Sequence, residues 1–519
     1  MTLELTFYGS VGDKDKGELG GVQGLFNDIE KKTRFMLDFG QRPDYTSDYY
    51  GFPYKPKSFE ALDQSEFLQL YPNIKDIYRH DFEEHRGNKV GSLPLEGILI
   101  SHGHYDHVGG LSLIRHDMPL YMHPVTKQLL YVWQYVSGRS VNQFIDIHEK
   151  LSLGLDKKGR QKWVSGDDAV IGRDIRLFKE NIPFKIGDMT ITAYLTDHSI
   201  PANCSFIIET SAGKIGFSGD IRCRGRYPQD TENFIHALLD KDISYLFWEG
   251  SLLHFDHYGT EEDVTNEVAH LIQDRTFAAI AYPPRDFDRI ASLYEAAKLT
   301  KRMLVIDPAQ AKYLQIFNGF NDYPRLDLKY IGIYLPRKSK GIIDREGFPK
   351  ELIKQDYDEW EQEFLEKSRW NGHQGKMQRV SINDLRDNQD QFLMYAPFAS
   401  MASILQEIDP KTNSIYIRSH PAPWTPEQEI MEEQQINLLT KYKMYDGPKP
   451  DYFTQKYMRK MHQIHVTGHL NIEETREILS KFDIPILPYH CTEPTNHFVN
   501  DVAKHTKVII LERGIKHTL

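Results

Sequence analysis

Short apolar runs, each closed by a polar or glycine-bearing turn, recur along the first half of the chain. Leu3 to Tyr8 alternates and predicts a strand, followed by a glycine-rich loop, Gly9–Gly21. A second strand ends in Phe35-Met36-Leu37-Asp38-Phe39-Gly40. Gly97-Ile98-Leu99-Ile100 reads as a short buried strand, Leu111 to Arg115 as the start of a helix, and Leu120-Tyr121-Met122 as a strand. Further strands are predicted at Ile191–Leu195, Ser205–Glu209 and Lys214–Ser218. From about residue 245 the rhythm changes. Tyr245–Trp248, Thr276–Tyr282, Arg302–Asp307, Phe392–Tyr395 and Ser414–Ile417 are apolar runs, and Phe287–Leu299 has helical spacing. Strand–helix–strand alternation predicts a parallel α/β unit. Near the end, Asn471 with Glu474 forms a capping box before a helix, Ile484–His490 reads as a strand, and Val508–Leu511 as the last one.

Two stretches interrupt this pattern. Residues 41–95 are rich in tyrosine and phenylalanine; a helical excursion with its own small core is favoured over an aromatic rim that stacks on bases. Residues 338–391 are highly charged with few apolar positions, which predicts an exposed helical insertion.

Composition bounds the answer further. The chain has 519 residues, 40% hydrophobic and 26% charged, enough for two or three domains of an ordinary globular protein. No apolar run approaches membrane-spanning length. The N-terminus reads as a first strand and not as a signal peptide, so no membrane association is expected. Three cysteines without a CxxC pair exclude a disulfide scaffold and point to a reducing, cytoplasmic setting. A net charge of −11 argues against a broad non-specific footprint on nucleic acid but leaves room for a local basic channel.

The candidate chemistry sits after the strand at 97–100, in Ser101-His102-Gly103-His104-Tyr105-Asp106-His107-Val108-Gly109-Gly110. Imidazoles and carboxylates suit zinc and similar divalent ions. His198, Asp220 and His490 likewise follow predicted strands. Two nearby ions need a bridging carboxylate and about three further ligands each. His102, His104 and His198 suit one ion, Asp106, His107 and His490 the other, with Asp220 bridging. No GxSxG elbow is present. The HxHxDH segment is similar to the signature of the metallo-β-lactamase fold.

The wider pattern resembles the β-CASP branch of that superfamily, and within it RNase J-like ribonucleases. His102–His107 resembles the second motif of the family, His198-Ser199-Ile200-Pro201 the third and Ser218-Gly219-Asp220 the fourth. Glu249 resembles motif A, Thr467-Gly468-His469 motif B and His490 motif C. The resemblance implies an αββα metallo-β-lactamase sandwich, residues 1–244 and 441–519, interrupted by a parallel α/β β-CASP cap, residues 245–440. It implies that Asp38 supports the metal loop. It implies two divalent ions, zinc first and manganese as the alternative, and phosphodiester hydrolysis by a hydroxide bridging them. His469 is the expected general acid, oriented by Glu249, with Asp106 in the catalytic set. His465 and Thr467 are expected to donate to substrate phosphate, with Ser400 and Arg222 (beside Arg224 and Arg226) as further contacts. A histidine in motif C marks mostly RNA-acting members, so RNA is the expected substrate, by exonuclease or endonuclease cleavage. A single-stranded DNA nuclease, a small-molecule ester or thioester hydrolase and a non-catalytic nucleic-acid-binding scaffold are the alternatives. Thr467 replaces the usual serine, and Cys491-Thr492-Glu493 replaces the usual Gly-Glu. Nothing before Leu519 matches the C-terminal domain of RNase J-like enzymes, so dimerisation through that domain is not expected.

Overall fold

The computed structural model describes residues 2–12, 18, 20–41, 49, 61–138, 142–165, 169–251, 259–317, 326–338, 341–345, 347, 350–373, 375–421, 423, 426–445, 464–491 and 506–519. The chain forms a mixed α/β structure of two compact units. The first comprises Met1–Cys223, Tyr227–His257 and Gly468–Leu519; the second comprises Arg224–Arg226 and Tyr258–Thr467. The strand Ile243–Gly250 thus lies in the first unit, and the second unit runs on past residue 440.

Among the described residues, two large sheets build the first unit. One has the order Ile175–Leu177, Leu120–Met122, Gly97–Leu99, Thr33–Leu37, Gln23–Asp28, Leu3–Gly9, Lys516–Thr518. The other runs Phe184–Ile186, Met189–Leu195, Cys204–Thr210, Gly213–Phe217, Ile243–Gly250, Ile486–Cys491. Their inner faces share one core: Leu5, Phe7, Phe26 and Phe35 meet Ile191, Phe206, Phe217, Phe247 and Leu487. In Leu3–Gly9 burial alternates residue by residue, as the pleat dictates. In Ile243–Gly250 it does not, because both faces are covered. Phe247 enters the shared core, while Leu246 and Trp248 pack under Phe234 and Leu238 of helix Pro228–Asp240 and Ile478 of helix Ile472–Leu479.

Strand direction places the site. Thr33–Leu37, Gly97–Leu99 and Leu120–Met122 are parallel. So are Gly213–Phe217, Ile243–Gly250 and Ile486–Cys491, and Met189–Leu195 shares their direction through the antiparallel Cys204–Thr210. Asp38, His102, His198, Asp220, Glu249 and His490 therefore all emerge at carboxyl ends of strands, where α/β sheets carry their ligands.

The second unit is a parallel sheet, ordered Gln378–Arg379, Ile331–Ile333, Met303–Ile306, Phe392–Tyr395, Ala278–Ala281, Ile415–Arg418. Its central strands are buried throughout. Helix Phe287–Leu299 has the bounds predicted from its spacing.

Several expectations need correction. Three strands, not two, precede residue 40, since Gln23–Asp28 pairs with both neighbours. Gly109–Leu113 is a 3₁₀ turn and not a helix start: two glycines open it, and the Arg115 guanidinium is drawn off to Asp117 and the Asp76 carbonyl. Residues 338–391 are not an exposed insertion. Among the described residues, Ile342, Ile353, Tyr357, Phe364, Val380 and Leu385 are buried, and Gln378–Arg379 adds an edge strand to the sheet. Val508 makes a single bridge to Ile486, and the last strand is Lys516–Thr518 against Leu3–Gly9. In the aromatic stretch, Tyr71 stacks on Phe39 at 5.7 Å and Tyr78 is buried, so these rings are core and not a base-stacking rim. Residues 42–48 and 50–60 of it lie outside the described residues. Among the described residues no helix is long and apolar enough to cross a membrane.

Candidate metal centre

The carboxyl ends of the strands bring imidazoles and carboxylates into one buried cluster within the first unit. His104 Nδ1 lies 3.1 Å from His102 Nε2 and 3.0 Å from His198 Nε2. Asp220 Oδ2 is the atom common to the whole group: 3.2 Å from His107 Nε2, 3.7 Å from His102 Nε2, 3.8 Å from His198 Nε2 and 3.9 Å from His490 Nε2. Asp106 Oδ2 lies 3.8 Å from both His107 Nε2 and His490 Nε2. Three overlapping ligand groups result among the described residues, His102/His104/His198/Asp220, Asp106/His107/His490 and Asp220/His469/His490.

The groups behind the cluster fix which nitrogens face inward. Asp38 accepts from Ser101 N–H at 2.7 Å, Ser101 hydroxyl at 2.7 Å and His107 Nδ1–H at 2.7 Å. His198 Nδ1–H donates to the Gly468 carbonyl at 2.5 Å. With Nδ1 protonated, the Nε2 lone pair of His198 is left for the cluster. Burial disfavours the His107 imidazolium, but Asp220, Asp106 and Asp38 outweigh it and hold the ring well above its ordinary value, so its Nε2 proton must leave before it can serve as a ligand. His490 is held differently: Gly20 N–H donates to its Nδ1 at 2.9 Å, beside the Ser10 hydroxyl at 3.1 Å. A backbone N–H only donates, so Nδ1 accepts here, and the ring offers Nε2 to a cation only when the Gly20 contact gives way. Ser10, Asp38 and His490 all have left-handed backbone, at φ 69°, 55° and 55°. Such strain collects at functional sites. Close approach is also built in at Gly40, where a Cβ would fall 1.6 Å from the Asp106 carbonyl oxygen.

Electrostatics suit cations. Burial pushes the His102 and His198 imidazoles well below their ordinary value, so both stay neutral with lone pairs to give. Burial opposes ionisation of Asp220, but the His107 and His490 imidazoles outweigh it and hold its carboxyl well below the usual range. Asp220 Oδ1 is buried with no hydrogen-bond partner, a costly arrangement that a bound cation would relieve. Converging imidazole nitrogens, ionised carboxylate and orphaned oxygen fit divalent ions, most completely at His102, His104, His198 and Asp220.

His469 adjoins the cluster. Its Nδ1–H donates to Glu249 Oε1 at 3.1 Å, and its ring centre is 5.2 Å from that of His198. Glu249 is 1% exposed and is itself held by Ser251 N–H at 3.0 Å and the Ser251 hydroxyl at 2.7 Å. Burial disfavours the His469 imidazolium, but the Glu249 carboxylate outweighs it, with Asp220 and Asp106 adding, and the ring is pushed up to about 9. His469 therefore lies beside the cluster with its Nδ1–H held by a carboxylate.

Arg222 does not offer itself to substrate. It is 1% exposed, its Nε donates to Asp197 Oδ1 at 3.2 Å and its Nη2 to the His198 carbonyl at 3.2 Å. Its role is to brace the His198 loop. Ser400, His465 and Thr467 belong to the second unit. There Ser400 lies in the first turn of helix Phe398–Ile408, His465 Nδ1 accepts from Arg289, and Thr467 is buried. The sequence reading missed Ser10, Gly20, Ser101 and the Gly468 carbonyl as supports. A serine or a backbone amide has no spacing signature, and only the fold brings residues 10 and 490 together.

Residues 76–280 match the family described as Beta-lactamase superfamily domain. That stretch is similar to a β-lactamase superfamily domain. The matched stretch of this superfamily domain includes His102 to Asp220 and Glu249 and stops before His469 and His490. Among solved structures, a protein of unknown function from Enterococcus faecalis V583 is similar over 100% of both chains, with a TM-score of 0.66 and 15% identity, a likeness of fold. The metallo-β-lactamase fold protein YhfI from Bacillus subtilis is similar over 51% of this chain and 80% of that one, with a TM-score of 0.27 and 13% identity.

Proposed function

We propose that this protein is a two-metal phosphodiester hydrolase that cleaves RNA, of the β-CASP, RNase J-like kind. The superfamily is usually hydrolytic and metal-dependent, and the His/Asp cluster suits that chemistry. His102, His104, His198 and Asp220 would hold one ion. Asp106 and His107, sharing Asp220, would hold a second, completed by His490. Zinc is the ion best matched to this imidazole-rich set, with manganese as the alternative. Divalent ions bound there supply Lewis acidity toward a phosphoryl oxygen and acidify water.

The observation that carries the reading is the His469–Glu249 pair. Cleavage of a phosphodiester leaves an alkoxide that needs a proton. The Glu249 carboxylate takes the Nδ1–H of His469 and stabilises the imidazolium, so the proton at Nε2 is the one available to the leaving oxygen. The order of Glu249, His469 and His490 along the chain supports the RNase J-like branch, and the histidine at 490 supports RNA over DNA.

The deciding assay uses the metal-loaded protein with end-labelled RNA and single-stranded DNA carrying a 5′ monophosphate, triphosphate or hydroxyl. Cleavage of RNA is expected, and the label pattern separates exonuclease from endonuclease action. Full metal loading with no cleavage of any nucleic acid counts against the proposal.

A further inference from the structure

One buried charge network in the second unit takes no part in the chemistry above. Arg289 is fully buried, and so is its partner Glu261. Arg289 Nη2 and Nε donate to the two Glu261 oxygens at 3.0 and 3.3 Å, and the Ser292 hydroxyl donates to Glu261 at 2.6 Å. The bidentate pair fixes the plane of the guanidinium. Its remaining edge is spent on the chain around residue 465. Nη1 donates to the Ser419 hydroxyl at 2.5 Å and carbonyl at 3.2 Å, and to His465 Nδ1 at 3.4 Å; Nη2 donates to the Val466 carbonyl at 3.2 Å. Ser419 in turn donates its hydroxyl to the Ile464 carbonyl at 2.6 Å, and Ile464 N–H donates to the Arg418 carbonyl at 3.1 Å. The segment 464–466 is therefore docked on the end of strand Ile415–Arg418 by Arg289 together with the Ser419 hydroxyl and the Arg418 carbonyl.

That arginine also decides a proton position. A guanidinium only donates. His465 Nδ1 must then accept, which excludes both the Nδ1–H tautomer and the imidazolium and leaves Nε2–H as the ring proton.

We infer that Arg289, with Glu261 behind it, is a positioning residue that holds His465 as the Nε2–H tautomer and fixes the segment carrying it. The inference rests on the proposed ribonuclease reading and on the role the family resemblance implies for His465, a donor to substrate phosphate. A neutral ring with its proton on the wrong nitrogen cannot make that donation, and a loosened segment cannot aim it. Lysine cannot substitute: one ammonium does not reach Glu261, Ser419, His465 and Val466 together.

The test uses Arg289→Lys, His465→Gln and the double variant in the metal-loaded protein. Arg289→Lys is expected to raise KM for the RNA substrate about tenfold, the scale of one lost hydrogen bond, with kcat within about twofold. In the His465→Gln background the same change is expected to add less than about twofold, because the two residues act through one contact. Multiplying effects would overturn the inference. Nitrogen-15 spectra of histidine-labelled protein, with His465→Gln identifying the signal, are expected to show Nδ1 bare and Nε2 protonated in the wild type, and a tautomer mixture in Arg289→Lys. A wild-type Nδ1–H signal would also overturn it, and this readout stands even if no nucleic acid is cleaved. If Arg289→Lys fails to fold, Ser419→Ala removes one anchor without disturbing the buried ion pair. It is expected to move KM in the same direction, and no change in KM would count against the inference.

Discussion

Asp38 shows how a residue that touches no substrate can govern the site. Its carboxylate collects Ser101 N–H, the Ser101 hydroxyl and His107 Nδ1–H, in a fully buried position with left-handed backbone. Burial raises its carboxyl, opposed by His107 and Ser101. Asp38→Ala should free the His107 ring to turn and cost about 10–100-fold in metal affinity, the usual size for such supports. Competition with a chromogenic chelator measures it; unchanged affinity would mean Asp38 is only a strand-end turn. His469→Ala separates chemistry from binding. Turnover should fall about 10²–10⁴-fold with metal content intact. Loss of metal in that variant would make His469 a ligand, which its place near Asp220 and His490 allows geometrically. The ligand-type residues were legible because they come as dense polar motifs after apolar runs. Ser10 and Gly20 were not, because their contribution depends on contacts across 480 and 470 residues.

Elements were legible where burial is simple and misread where it is not. Phe287–Leu299 keeps its spacing from sequence to structure, while Gln23–Asp28 hides its strand in a mixture of polar and apolar residues that are mostly buried alike. The charged stretch 338–391 misleads because its ion pairs, Lys338 with Glu361 and Arg379 with Asp344, accompany apolar residues such as Ile342, Phe364 and Leu385 that are buried. In the strand Ile243–Gly250, Phe247 packs against Phe7 at 5.4 Å and Phe26 at 5.8 Å. Phe247→Ala should cost about 3–5 kcal/mol in denaturant unfolding. A loss below about 1 kcal/mol would show that the two sheets close the cavity by moving together. At the end of strand Ile415–Arg418, burial pushes the His420 imidazole down from 6.5 to about 3, with Arg418 and Arg289 acting the same way. The folded chain then binds fewer protons here than the unfolded chain between those values. Stability is complete above the unfolded value and is lost as pH falls through the window. His420→Gln should lose less stability than the wild type between about pH 7 and about pH 5. Equal losses would mean the ring protonates freely in the folded state.

At the scale of the whole molecule, the candidate metal ligands are confined to one unit. His102 to Asp220 and His490 all belong to the first, although the second interrupts the sequence between Asp220 and His490. The chain pattern separated the two halves of the ligand set by the α/β stretch, and the fold explains why they still meet: Ile486–Cys491 returns to lie parallel beside Ile243–Gly250 in the same sheet. A ligand that binds only the folded state stabilises what it binds, by about 2.7 kcal/mol at a hundredfold excess over Kd. Metal removal should therefore act unevenly. Chelation should speed amide exchange in Gly97–Leu99, Gly213–Phe217 and Ile486–Cys491, whose ends carry the ligands, while Ala278–Ala281 and Met303–Ile306 of the second unit keep their protection. Hydrogen–deuterium exchange read by mass spectrometry, with and without chelator and again after restoring zinc, resolves these segments. Equal loss in both sheets would mean that the two units unfold as one cooperative body, and that the ions stabilise the chain as a whole and not the unit that supplies their ligands.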